Sequence, residues 1–174
     1  APYEYDELYA RTDQTLGAYT ELIVSHSPRL SSIFGYRADY SKSFGLWHTP
    51  RVNMRYKPTD NTAFRISAGK AYRQANPISE NMSYLFSSRN LVLEDYNSLK
   101  PEEAINYGAN INHNFHIAGK ATSFNIDIYQ TDFQNQVVAD IEQTQKLAIY
   151  NLEGPSNSRS VQLDFTFEPA DGWE

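Results

Sequence analysis

Long stretches of strict period-2 alternation constrain this chain more than any other feature. From Thr49 to Arg73 it reads TPRVNMRYKPTDNTAFRISAGKAYR. Val52, Met54 and Tyr56 alternate with Arg51, Asn53, Arg55 and Lys57, and Phe64, Ile66 and Ala68 alternate with Arg65, Ser67 and Gly69. Successive side chains of a strand point to opposite faces, so each arm has one apolar and one polar face. Between them, Pro58-Thr59-Asp60-Asn61 is turn chemistry. The stretch predicts an antiparallel hairpin with hydrocarbon on one side and guanidinium groups on the other.

The same polarity recurs along the chain. Residues 16–25 set Leu16, Ala18, Leu22 and Val24 against Gly17, Tyr19, Glu21 and Ile23. Residues 30–41 set Phe34, Tyr36, Ala38 and Tyr40 against Gly35, Arg37 and Asp39. Residues 104–115 set Ile105, Tyr107, Ala109 and Ile111 against a run of Asn and Gly. Residues 122–132 and 159–168 repeat the pattern with Phe124, Ile126, Ile128 and with Val161, Leu163, Phe165, Phe167. Seven strands of about 9–12 residues each follow, a length that suits a tilted crossing of a bilayer's hydrocarbon core.

The connections alternate as well. Those at 26–29, 58–62, 116–120 and 169–172 are short; those at 42–48, 74–103 and 133–158 are longer. Each crossing reverses direction, so 74–103 and 133–158 are expected on one rim, opposite 58–62 and 116–120. Residues 78–86 offer a helical turn, and the segments around 136–141 and 146–152 read as arms of a projecting hairpin. The first fifteen residues are polar and acidic, and read as a loop or as the frayed end of something preceding. Short turns on one rim and long loops on the other are the plan of a transmembrane β-barrel.

Composition narrows the function classes. A net charge of −6 in 174 residues, without a dominant basic patch, argues against nucleic acid. There is no run of about 18 apolar residues for a membrane helix. The chain starts at Ala and shows no signal peptide, as in a mature secreted protein or a piece of a longer one. With no cysteine, thiolate metal sites are excluded. Alternation alone also fits a soluble β-sheet ligand-binding module. The polar face weighs against it: Asn, Ser, Gly, Arg and Asp suit a crowded lumen wall, where a solvated sheet carries Lys and Glu. Lys70, His113 and Asp132 break the parity near strand ends, where charge costs less in a membrane.

At this point the residues resemble a known family. TPRVNMRYKPT, FRISAGKAYRQANPISEN, SRNL, LKPEEAINYGANI, DIYQTDFQNQVVADI and YNLEGPSNSRSVQLDF, in that order, are similar to the barrel of TonB-dependent outer-membrane receptors. The likeness covers about residues 16–168 and is nearest the Bacteroidetes type, the colicin, cobalamin or siderophore receptors. It implies an all-β, antiparallel up-and-down meander that is a segment of a roughly 22-stranded transmembrane β-barrel. It implies import of a scarce nutrient such as siderophore-iron or cobalamin, and location in the Gram-negative outer membrane. The implied partners are a plug domain of the same parent chain and, through it, TonB, besides the ligand and the lipid bilayer. No plug and no TonB box lie in these residues, so 1–174 is expected to be a partial barrel domain. Loops 74–103 and 133–158 would then be extracellular.

No catalytic constellation stands out, and no cofactor or enzyme activity is expected. His26, His48, His113 and His116 are scattered over turns and strand ends, whereas a zinc site needs three or four convergent donors. The lumen- or plug-facing candidates are Arg37, Arg51, Arg55, Arg65, Arg73, Asp39, Asp127 and Asp164. The arginines either bind plug carboxylates and carbonyls, which guanidinium suits, or pair with carboxylates of the wall itself. Tyr36, Tyr40, Tyr56 and Tyr72 are candidates for an interfacial aromatic girdle. Tyr84, Phe86, Arg89, Asp95 and Tyr96 are loop candidates for contact with ligand.

Overall fold

Leu22 lies opposite Phe34, and Phe34 opposite Val52, so alternation has aligned apolar side chains across three successive strands. In the computed structural model, residues 12–85, 90–93, 99–142 and 145–167 are described. The chain begins with β1 (Thr15–Ser27), β2 (Leu30–Ser41), β3 (Gly45–Thr59) and β4 (Thr62–Arg73). Two single helical turns follow, α1 (Pro77–Glu80) and α2 (Met82–Leu85), then β5 (Asn90–Leu93). Next come β6 (Glu102–Ile117), β7 (Lys120–Gln134), β8 (Val137–Asp140), β9 (Lys146–Asn151) and β10 (Ser156–Phe167). The antiparallel meander runs β1-β2-β3-β4-β6-β7-β10 as one seven-stranded sheet, and β5-β9-β8 form a second sheet of three.

The seven strands are longer than the alternation suggests, at 12–16 residues. Backbone pairing continues past the last apolar position. At the loop rim Arg73 still pairs with Glu102, and Glu103 with Gln134. The connection at 42–48 is also shorter than expected. Ser41 pairs with Gly45, leaving a three-residue turn. Pro50 disguised this strand, because proline interrupts a sheet by removing a donor. The structure accommodates it where the β3–β4 ladder stops: the last pair is Arg51 with Gly69, one residue short of Pro50.

Both long connections leave the same end of the sheet, after β4 and after β7. They join there. β9 pairs antiparallel with β8, as the sequence suggests, and also parallel with β5 from the other connection. Four residues of β5 in a segment rich in Asn and Ser gave no alternating signal, so this pairing was not legible. Leu147 and Ile149 on β9 are fully buried, and Ala75, Pro77 and Leu99 are buried on the connection between β4 and β6. Asn151 ties the connections together. Its Oδ1 accepts from the N–H of Lys100 (2.7 Å), and its Nδ2 donates to the carbonyls of Lys100 (3.0 Å) and Asn135 (2.7 Å).

The large sheet buries little. Among the described residues, Ala63 is the one buried apolar residue on its seven strands. Register sets Met54, Ile66, Ala109, Ile128 and Val161 in one row, and Tyr56, Phe64, Ile111, Ile126 and Leu163 in the next. Ile66 is 56% exposed, Ile128 51% and Val161 66%. A soluble module would pack such a face against a second layer. Here hydrocarbon rows stand open across the sheet, as a lipid-facing surface requires.

Candidate functional site

The opposite face carries the polar side chains. Direct partners in an antiparallel ladder share a face, so the register alone gathers the candidates. Glu21, Gly35, Arg51 and Gly69 form one row; Arg55, Arg65, Asn110, Asp127 and Gln162 form another; Gly17, Asp39 and Trp47 a third. Arg37, Arg51, Arg55, Arg65, Asp39, Asp127 and Asp164 therefore stand on one surface.

Most of these groups satisfy one another. Arg37 donates from Nε and Nη2 to the two oxygens of Asp39 at 2.7 and 2.8 Å, a bidentate fork. Arg51 donates to Glu21 across β2. Gly35 makes that reach possible: a Cβ there would stand 2.6 Å from Arg51 Nε, so the arginine lies across bare backbone. Arg65 donates to Asn110 Oδ1 at 2.8 Å. Asn110 Nδ2 in turn donates to Asn125 Oδ1 (2.7 Å) and Asp127 Oδ1 (2.8 Å). Asn125 Nδ2 bridges Asp127 (2.5 Å) and Asp164 (3.3 Å), and Gln162 donates to Asp164. Asp127 and Asp164 thus meet the arginine through amides rather than directly. Asn110 and Asn125, two asparagines among many on this face, are the joints of this network.

Arg73 serves the rim. Its Nε donates to Glu102 Oε2 at 2.5 Å and its Nη1 reaches Glu80 on α1 at 3.2 Å. The Glu102 side chain is 8% exposed, and its other oxygen accepts from the Val137 N–H at 2.8 Å. One arginine therefore connects β4, β6, the first loop and the start of β8. Asn76 caps α1 by accepting from the Ser79 N–H (3.2 Å).

Near this rim, alternation stops separating the faces. Trp47, opposite Asp39, stacks on Tyr72 with centroids 5.6 Å apart, and Phe44 stacks on Trp47 at 6.1 Å. Tyr72 is half-buried here, with Lys70 Nζ 4.6 Å from its ring centroid. Tyr36, Tyr40 and Tyr56 are exposed on the apolar side. The parity exceptions have partners: Lys70 with Glu103 (2.7 Å), His113 with Thr62 (2.9 Å), Asp132 with Gln130 (2.8 Å). His26 contacts Ser32 at 3.0 Å, and His48 contacts Tyr36 at 2.5 Å. Among the described residues no three His, Asp or Glu converge as metal ligands. Of the loop candidates, Tyr84 lies in α2 and is partly exposed. Phe86, Arg89, Asp95 and Tyr96 lie outside the described residues, as does the turn at 169–172.

Comparison with known proteins gives one family. A model of the "TonB dependent receptor-like, beta-barrel" family matches residues 2–174. No curated protein matches the chain. Solved structures with the same arrangement include the siderophore receptor PirA of Pseudomonas aeruginosa, 18% identical, with a TM-score of 0.65 over 88% of this chain and 28% of that one. A variant of the ferric enterobactin receptor PfeA of the same organism, in complex with enterobactin, aligns with a TM-score of 0.71 at 15% identity, over 92% of this chain and 25% of that one. The hemophore receptor HasR of Serratia marcescens, in complex with its hemophore HasA and heme, gives 0.69 at 11% identity, over 90% and 32%. The chain thus spans about a quarter to a third of the structures it matches.

Proposed function

Because the chain belongs to the TonB-dependent receptor β-barrel family, we propose that it forms part of the wall of an outer-membrane receptor that imports a scarce nutrient. Siderophore-bound iron, cobalamin or heme are the ligand classes in view. The observation that carries this reading is the division of one sheet into two unlike faces. One presents rows of exposed Ile, Val, Leu, Phe and Tyr; the other a hydrogen-bonded network of Arg, Asn and Asp. The first suits lipid and the second a polar lumen.

In this reading the paired rim loops face the cell exterior, and the turns at 27–30, 59–62 and 117–120 face the periplasm. The lumen holds a plug contributed by the parent chain, through which TonB supplies energy. Arg37, Arg51, Arg55, Arg65, Asp39, Asp127 and Asp164 line the wall beside that plug. Tyr84 belongs to a surface that an incoming ligand passes. The ligands held in two of the matched structures, enterobactin and a heme-carrying hemophore, support a small iron- or heme-bearing cargo.

Deletion of the parent gene tests the proposal. Growth is measured with a ferric siderophore, heme or cobalamin as the sole limiting source. Loss of growth on one source, restored by the intact gene, is expected. Unchanged growth and unchanged uptake on every source would overturn it.

A further inference from the structure

Four arginines of the polar face have partners on the protein itself: Arg37 with Asp39, Arg51 with Glu21, Arg65 with Asn110, Arg73 with Glu102 and Glu80. Arg55 differs. Among the described residues it has no ion pair and no hydrogen bond, and it stands directly opposite Arg65. Like charges in that position repel. Among the described residues no carboxylate pairs with either guanidinium: Asp127, in the same row, accepts instead from Asn110 and Asn125.

The surroundings suit an anion. Arg55 and Arg65 line a depression together with Lys57, Asn112 and Asn114, beside Asp60 of the turn. They also border a second depression with Ser31, Asn53, Ser67, Asn110 and Tyr129, where Asp127 is the one carboxylate among the described lining residues. Three cations therefore surround the first depression against one carboxylate, with amide donors beside them. A guanidinium offers several fixed donors and matches a planar or tetrahedral oxyanion in pairs of hydrogen bonds. Two facing guanidinium groups become mutually favourable when one such group lies between them.

We propose that Arg55 and Arg65, with Lys57 beside them, form a receptor for a single oxyanion, a carboxylate or phosphate group presented to the polar face. That group comes either from an acidic side chain of another part of the parent receptor or from a free phosphate-bearing solute. The inference needs the geometry of this sheet alone, so loss of the import reading leaves it standing.

The full-length parent receptor in detergent is melted in sodium chloride and in inorganic phosphate at equal ionic strength. Wild type is compared with Arg55→Ala, Arg65→Ala, the double variant and Arg55→Lys. If a side chain of the receptor fills the site, each single variant melts several degrees lower in chloride. The double variant then falls no further than the worse single, because the pair acts as one unit. If a free anion fills it, the variants melt like wild type in chloride. Phosphate then raises wild type, Arg55→Lys keeps part of the gain, and both alanine variants lose it. Arg55→Ala melting at or above wild type in both salts would overturn the proposal, as the pair would then be merely repulsive. So would strictly additive losses, or a phosphate shift common to all variants.

Discussion

The ring of Tyr129 lies across Gly108, its partner in the β6–β7 ladder, so closely that a Cβ at 108 would stand 2.7 Å from Tyr129 Cε1. Ser67 Oγ closes the other side at 2.6 Å. Glycine is required there by space rather than by backbone angle. It lets an aromatic ring lie flat on a face that is otherwise densely hydrogen-bonded.

Gly108→Val is therefore expected to destabilise the receptor by about 1–3 kcal/mol, the usual range for overpacking. Adding Tyr129→Ala should recover part of the loss by removing the ring. Urea unfolding of the receptor in lipid vesicles, run as a double-mutant cycle, measures the coupling.

The exposed apolar rows make a sharper test of the membrane reading. Ile128 sits mid-strand in the row with Ile66 and Val161. Ile128→Arg should cost about 2–4 kcal/mol in a bilayer, and His113→Arg, near the strand end, about 0–1 kcal/mol. Equal costs at the two positions in vesicle refolding would show that the face does not meet lipid.

At the rim, Arg73→Ala strands the Glu102 carboxylate, whose side chain is 8% exposed. The expected loss is about 1–3 kcal/mol of local stability, the cost of an unsatisfied buried polar group. Glu102→Gln added to Arg73→Ala should be milder than Arg73→Ala alone, since the stranded charge is gone. Amide exchange at Val137, whose N–H donates to Glu102, reports both variants.

Asn151→Ala removes three hydrogen bonds at once. It should loosen the loop sheet while leaving the main sheet intact. Faster exchange at Leu147 and Ile149, with unchanged protection at Ile111 and Ile126, is the expected pattern. Ile149→Ala, which empties a fully buried position, should act in the same place and cost about 2–5 kcal/mol.

What could be read in advance follows from how far each signal travels along the chain. The alternation in 104–115 fixed both the strand and its faces, because every second residue repeats the same choice. Pro50 hid the start of β3, since a missing donor normally argues against a central strand. β5 could not be found, because its partner among the described residues, β9, lies on a different connection and no local pattern encodes a parallel pairing. In the site, the arginines stood out by type. Their roles did not: whether Arg37 pairs with Asp39 or Arg55 stays alone depends on which residue faces which, and that is set by register. Asn110 and Asn125 look alike with the other asparagines until the ladder places them beside Asp127.

The pairing of β5 with β9 also sets an order of assembly. The two segments are separated in sequence by the whole β6–β7 hairpin, and closing so long a span costs chain entropy that a four-residue ladder alone does not return. β6 and β7 must first zip together and bring their loop ends to one place. The β5–β9 pairing thus follows the β6–β7 hairpin, whereas the local β8–β9 pairing need not wait for it. The appearance of the β5–β9 pairing during biogenesis signals that the neighbouring strands of the wall have already locked into register.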